Sequence, residues 1–210
     1  MSNLIVLEEK DISAKGVNQN NIINEEKLKN HFFSEDYDNL KLIERIPKLN
    51  LNENKPVLIY PGCGADVFFP LIYMQEIFPD KREFKFIFID LENYLGLIKT
   101  ILDDVGVSFE ESKKENKINF YWEKIKIELE FVNEDISKVI EKLPNYDLYF
   151  ERAFRIMKER ILDYEKRILQ KLNSKGIIIS DSGFEEVKLN RIEVSSKLSS
   201  YGEMVIGIKD

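Results

Sequence analysis

Between Pro56 and Ser180 the chain repeats one pattern: a short apolar run, a polar or glycine-rich closure, then a stretch with helical spacing. The runs Val57–Tyr60, Phe84–Asp90, Tyr146–Phe150 and Ile177–Ser180 are almost continuously apolar, as central parallel strands are when both faces are covered. Between them, Asn93–Asp104 carries Leu97, Ile98, Ile101 and Leu102 at helical spacing. Ala153–Leu172 reads as one long helix with Ile156, Met157, Ile161, Tyr164, Ile168 and Leu172 on its buried side. A helix over Val67–Phe78 accommodates Pro70 only in its first turn, where a missing N–H costs little. Ile136–Leu143 is a short helix stopped by Pro144. Strands alternating with helices imply a mostly parallel twisted sheet with helices on both faces.

Two runs break the pattern. Ile118–Trp122 and Ile125–Val132 alternate apolar and polar residues, which predicts a hairpin with one wet face, as at a sheet edge. Glu123-Lys124 would form its turn, although the usual Gly or Asn is missing. Glu110–Lys117 before it reads as a charged loop. After Gly183, a helix over Asn190–Ser199 and a closing strand over Met204–Ile208 are expected. Upstream, Asn24–Phe33 and Asp38–Ile46 predict two helices, with Lys15–Asn24 as a loop. Residues 1–54 are therefore expected to be an N-terminal helical cap on a single domain spanning 55–210.

Composition narrows the chemistry. One cysteine, Cys63, excludes an internal disulfide framework, and one histidine, His31, excludes a His-rich metal site. The formal charge of −7 argues against a phosphate-backbone partner, so no nucleic acid is expected. No window approaches the ~20 apolar residues that span a bilayer, and Leu4–Leu7 is too short for a secretory signal. A cytoplasmic protein without a membrane partner is the expectation.

In parallel sheets of this kind, ligands bind outside the carboxyl ends of the strands. Gly62-Cys63-Gly64 follows the first strand and opens a helix, letting backbone approach a ligand. Asp90 ends the second strand, where an acidic residue accepts hydrogen bonds from ribose hydroxyls. Asp135 ends the third, Glu151 the fourth, and Ser180-Asp181 the fifth. Each of these is also an ordinary way to solvate a strand end, and Asp135 is a good N-cap for the helix at Ile136. Cys63 reads as a small turn residue and His31, beside Phe32 and Phe33, as a packed cap residue.

Taken together, the segments VLIYPGCGAD (57–66), FIFIDLENY (86–94), FVNEDI (131–136), YDLYFERAF (146–154) and LNSKGIIISDSG (172–183) resemble the class I S-adenosylmethionine-dependent methyltransferase superfamily. The resemblance covers about residues 55–182 and implies a Rossmann-like fold with S-adenosylmethionine as cofactor. It places Gly62 and Gly64 under the cofactor's amino-acid and ribose parts, with Cys63 and Asp66 of the same turn also among the cofactor-binding candidates. Asp90 would hold the ribose and Leu91 pack on adenine, whose amino group Asp135 would accept beside the Ile136 backbone. Glu151 would stand near the methionine amine or the sulfonium, as the base if one is needed; His31 is the second choice. The implied activity is methyl transfer to a small molecule.

Three positions depart from the family pattern. Tyr60 stands where an acid is usual, Pro61 where a small or aliphatic residue is usual, and Asp66 where a third glycine is usual. Asp66 could cap the following helix or pair with the cofactor's ammonium. The departures motivate an alternative, a methyltransferase-like binding or scaffold protein without activity. A rim of carboxylates would also suit a hard cation, though no metal motif specifies one.

Overall fold

The computed structural model describes residues 22–112, 116–199 and 202–210. The readings of Leu4–Leu7 and of most of Lys15–Asn24 lie outside the described residues.

Five parallel strands form the centre of the sheet: β1 (Val57–Pro61), β2 (Glu83–Asp90), β5 (Ile125–Asn133), β6 (Tyr146–Glu151) and β7 (Leu172–Ser180). With β3 (Phe109–Glu111), β4 (Lys117–Trp122), β8 (Asn190–Ile192) and β9 (Val205–Ile208), the order across the sheet is β3-β4-β5-β2-β1-β6-β7-β9-β8. The helices are α1 (Glu25–Asn30), α2 (Ser34–Leu40), α3 (Phe68–Ile77), α4 (Leu95–Asp104), α5 (Ile136–Val139), α6 (Arg155–Lys158) and α7 (Tyr164–Lys171). This is the expected mostly parallel, Rossmann-like α/β architecture.

The apolar runs feed two cores, because successive side chains of a strand point to opposite faces. Leu58, Tyr60, Phe84, Phe86, Phe88, Leu148, Phe150, Ile177 and Ile179 join the core that holds α3 and α4. Ile59, Ile87, Ile89, Tyr149 and Ile178 join the opposite core, with Tyr164 and Ile168 of α7. The cap packs on the first face through buried Leu28, Ile43 and Ile46. On α3, Pro70 is the third residue, as its missing N–H requires.

The structure differs from the sequence reading in four places. The hairpin forms, with β4 and β5 joined at Glu123, whose φ of +49° does the work of the absent glycine. Yet β5 is not at the edge; it lies between β2 and β4, and its wet face is covered by charge pairs rather than water alone. Lys55 reaches Glu128 at 2.8 Å, and Lys85 and Lys117 reach Glu130 at 3.0 and 2.7 Å. The edge strand is β3, formed by residues read as the start of a charged loop; the solvated Glu110 and Glu111 suit an edge.

The long helix over Ala153–Leu172 is instead α6 and α7, separated by a turn in which Asp163 adopts φ +51°. Its expected buried stripe fails at the front: Ile156 and Met157 are exposed while Lys158 turns inward. The helix expected over Asn190–Ser199 is β8 and a short 3-10 turn, because Asn190–Ile192 pairs antiparallel with β9 and completes the sheet. The expected helix over Asp38–Ile46 also shifts: α2 begins at Ser34 and ends at Leu40, and Ile43–Arg45 is a 3-10 turn.

Candidate functional site

Strand order reverses at β1: β2 and β5 lie on one side of it, β6 and β7 on the other. Such a switch point opens a crevice at the carboxyl ends, where the loops leave in opposite directions. The Gly62–Asp66 turn sits there. Gly62 and Gly64 have φ of +61° and +52°, a region that L side chains enter only with strain. The Gly62 N–H donates to the Ile89 carbonyl at 2.8 Å, tying the turn to β2. A Cβ on Gly62 would lie 2.4 Å from the Phe154 ring, so the close approach at this glycine is by Phe154.

Asp90 closes β2 with one carboxylate oxygen accepting the Gly64 N–H at 2.8 Å and the other facing the Glu92 N–H at 3.4 Å. Asn133, its register partner on β5, donates to the Leu91 carbonyl at 2.7 Å and shapes the loop. Leu91 is 70% exposed, a large apolar side chain held in the open. Asp135 caps α5, accepting the Ser137 N–H at 2.8 Å, and hydrogen bonding from the Ser137 side chain, with that N–H, holds its carboxyl below the usual range. Glu134 accepts from the Asp135 N–H and from Lys138.

These strand ends face residues 154–162 across a crevice of about 540 Å³, a size typical of small-molecule sites. Gly62, Asp90, Leu91, Glu134, Asp135 and Ile136 line one side; Phe154, Met157, Arg160, Ile161 and Leu162 line the other. Of the candidates read from sequence, Gly62, Asp90, Leu91, Asp135 and Ile136 meet here. Gly64 enters through its bond to Asp90. Phe154, Met157, Arg160 and Leu162 were not legible as site residues, because their facing depends on where the break before α7 falls.

Glu151 is placed elsewhere. It is fully buried, and one oxygen accepts from Lys158 Nζ and from Ser180 Oγ, each at 2.6 Å. The other oxygen accepts from the Tyr149 hydroxyl at 2.5 Å. Lys158 also donates to the Gly183 carbonyl and lies 3.7 Å from Glu165. Burial pushes the Tyr149 and Tyr164 hydroxyls and the Glu165 carboxyl upward. Glu151 does not line the crevice; its network fastens α6 and the loop after β7 to the end of β6.

Cys63 and Asp66 lie on the far side of the turn. Asp66 accepts from the Tyr60 hydroxyl at 2.8 Å and from the Phe69 N–H at 3.3 Å, capping the start of α3. Burial raises its pKa even though Arg152 stands at 3.4 Å. The Phe69 bond corresponds to the helix capping anticipated for Asp66, and Tyr60 is an additional partner that the sequence did not suggest. Burial likewise pushes the Cys63 thiol up, which disfavours a thiolate. Cys63 and Asp66 line a second crevice, of about 500 Å³, shared with the cap. His31, at its rim, bonds Asp104 at 3.2 Å and packs on Phe68.

Asp181, at the end of β7, accepts from the Ala153 N–H and the Ser182 hydroxyl and so pins the loop that carries Phe154. The rim carboxylates thus divide between separate sites rather than meeting at one, and among the described residues no group of His, Cys, Asp or Glu is arranged to hold a metal ion. Nor is any helix among those residues long and apolar enough to cross a membrane.

No protein-family model matches the chain, and no curated protein matches it. Solved structures give distant likenesses. A precorrin-6y C5,15-methyltransferase from Geobacter metallireducens is 17% identical over 69% of this chain and 60% of its own, at a TM-score of 0.39. A SAM-dependent methyltransferase from Thiobacillus denitrificans, bound to S-adenosyl-L-homocysteine, is 13% identical over 71% and 48%, at 0.41. A fibrillarin/Nop5p complex is 12% identical over 80% and 79%, at 0.44. The chain thus spans about three-fifths and one-half of the first two proteins. The fold assignment rests on this chain's own strand order.

Proposed function

We propose that the crevice at the β1 switch point holds the adenosyl part of S-adenosylmethionine and that the protein is a methyltransferase for a small molecule. The observation that carries this reading is the meeting of Asp90 and Leu91 with Asp135 and Ile136 in one crevice. One pair comes from the end of β2 and the other from the end of β5. The residues fit the group: Asp90 keeps acceptor capacity for two ribose hydroxyls beyond its bond to Gly64. Asp135 lines the crevice while bonded to Ser137, an acceptor at the end of β5. Leu91 faces Met157 and Leu162, three exposed apolar side chains that a flat heterocycle would cover.

When bound, S-adenosylmethionine supplies an electrophilic methyl group. The chain's own contribution is to bind, orient and dehydrate, which suffices where reaction depends on alignment. Glu151 has its oxygens taken by Lys158, Ser180 and Tyr149, so we assign it a positioning role, holding Lys158 and the wall that α6 begins. A cytoplasmic setting, a small-molecule acceptor and no nucleic-acid or membrane partner belong to the same proposal. The formal charge of −7 and the carboxylates Asp90, Glu134 and Asp135 at the crevice favour it over a phosphate-rich acceptor.

A second reading, an adenosyl-binding protein without transfer, is favoured by the engagement of both Glu151 oxygens by Lys158, Ser180 and Tyr149 and by the bonding of Asp66 to Tyr60 and Arg152. Isothermal titration with S-adenosylmethionine and S-adenosylhomocysteine tests the shared part: no heat and no thermal shift for either defeats both readings. Transfer of a labelled methyl group to a metabolite extract then separates them.

A further inference from the structure

The second crevice lies between the cap and the Gly62–Asp66 turn. Consecutive residues face opposite crevices: Gly62 and Phe154 line the first, Cys63 and Ala153 the second. Its walls are unusually aromatic. Phe32 stands edge-on to Phe69 with ring centroids 5.1 Å apart, and Phe33 is 81% exposed at the mouth. The Phe69 face is already covered by the Arg152 guanidinium, 3.2 Å from its centroid.

The charge in this crevice is unbalanced. Arg152 is shared by three carboxylates, Asp66 at 3.4 Å, Asp36 at 3.7 Å and Asp181 at 3.8 Å. Asp66 and Asp181 have other donors, from Tyr60 and from Ala153. Asp36 has only the distant contact with Arg152 among the described residues, while it lines the crevice with the exposed Phe33 ring. His31 offers no compensation, since its Nε2 is committed to Asp104. An anion seeking Arg152 would have to compete with the carboxylates of Asp36 and Asp66 that already share it. A cation would meet a carboxylate short of a partner and aromatic faces that attract positive charge.

We propose that this second crevice binds a small organic cation on a flat apolar body, an aryl-alkyl ammonium, with Asp36 taking the charge and Phe33 covering the body. The site stands apart from the adenosyl reading of the first crevice and does not depend on it. Burial of both ends is what distinguishes such a ligand from a surface counterion: the ammonium pairs with Asp36 while the aryl group removes exposed phenyl surface from water.

The test titrates the intact protein with phenethylamine, 2-phenylethanol and 3-phenylpropionate, followed by amide chemical shifts. Expected are saturable shifts at the cap and the Gly62–Asp66 turn with the amine at millimolar concentrations. The anion should bind at least about tenfold more weakly, ~1.4 kcal/mol. Asp36→Asn, at a half-buried position, and Phe33→Ser, at an exposed one, should keep the parent spectrum elsewhere and each weaken amine binding several-fold. The proposal is overturned by no saturable shift, by equal affinity for all three probes, or by unchanged affinity in Asp36→Asn. Shifts confined to Leu91 and Ile136 would also overturn it, since they would place the amine in the first crevice. Titration of S-adenosylhomocysteine in the same samples reports on the first crevice separately, so either reading can fail alone.

Discussion

Asp90 has two oxygens and two sets of demands on them. Its bond to the Gly64 N–H fixes the turn, and its remaining lone pairs face the crevice. Hydrogen bonds to a charged acceptor contribute about 1.5–3 kcal/mol each. Asp90→Ala is therefore expected to lower affinity for S-adenosylhomocysteine at least about tenfold by isothermal titration. From its place at a strand end alone, Asp90 would be expected to hold nothing in the fold. The Gly64 bond adds a stability cost of about 1 kcal/mol. A variant that binds like the parent would reduce Asp90 to a turn residue. Gly62 makes a sharper case. An added Cβ meets both an unfavourable φ and the Phe154 ring, so Gly62→Ala should cost about 2 kcal/mol or more in urea denaturation. Adding Phe154→Ala should return part of that cost, because the clash and the ring are one contact. The glycine was legible in the sequence; the ring it makes room for was not, since 92 residues separate them and only the pairing of β1 with β6 brings them together.

At the scale of elements, the segment from Ala153 to Asp163 departs most from its pattern. Both end residues have φ of +51°, and Ile156, Met157 and Leu162 stay in water. What holds the segment is the buried pair of Lys158 with Glu151. Removing one partner of such a pair leaves an uncompensated buried charge and costs about 3–5 kcal/mol, whereas replacing both can be nearly neutral. Lys158→Met is expected to lower stability on that scale, and Lys158→Met with Glu151→Gln to recover much of it. If the single variant melts with the parent, the network is incidental. Helical periodicity alone could not anticipate this, because it ranks Lys158 as a solvated position; the reward for burying it comes from Glu151 on β6 and the Gly183 carbonyl after β7. The same limit explains β8. Asn190, Arg191 and Ile192 are too few to carry a period that separates strand from helix, but the open edge of β9 offers them a ladder of hydrogen bonds.

Across the whole molecule, charge pairs tie distant parts together. The Lys27 hydrogen bond holds Asp104 below its ordinary range and joins α1 to α4, while the Lys55 hydrogen bond holds Glu128 down and joins the approach to β1 with β5. For an acid whose folded pKa is lowered, the stabilisation is present above the unfolded value and is lost as pH falls through the folded one. Melting temperature should therefore drop on acidification below the ordinary carboxylate values of 3.8 and 4.5. Asp104→Asn should flatten the drop in a melting series that spans them. Equal slopes for parent and variant would show that the pair contributes nothing. The sequence by itself determined the alternation of strands and helices, the two apolar faces of the central strands, and the row of strand-end carboxylates, because these depend on the spacing of neighbours along the chain. It also located the glycine turn and Asp90. Only the tertiary structure decided which carboxylates face a crevice. Strand order placed Asp90 and Asp135 side by side, while the break before α7 sent Lys158 inward to Glu151. That choice weighs burial against pairing between residues far apart in the chain, and local spacing carries no record of it.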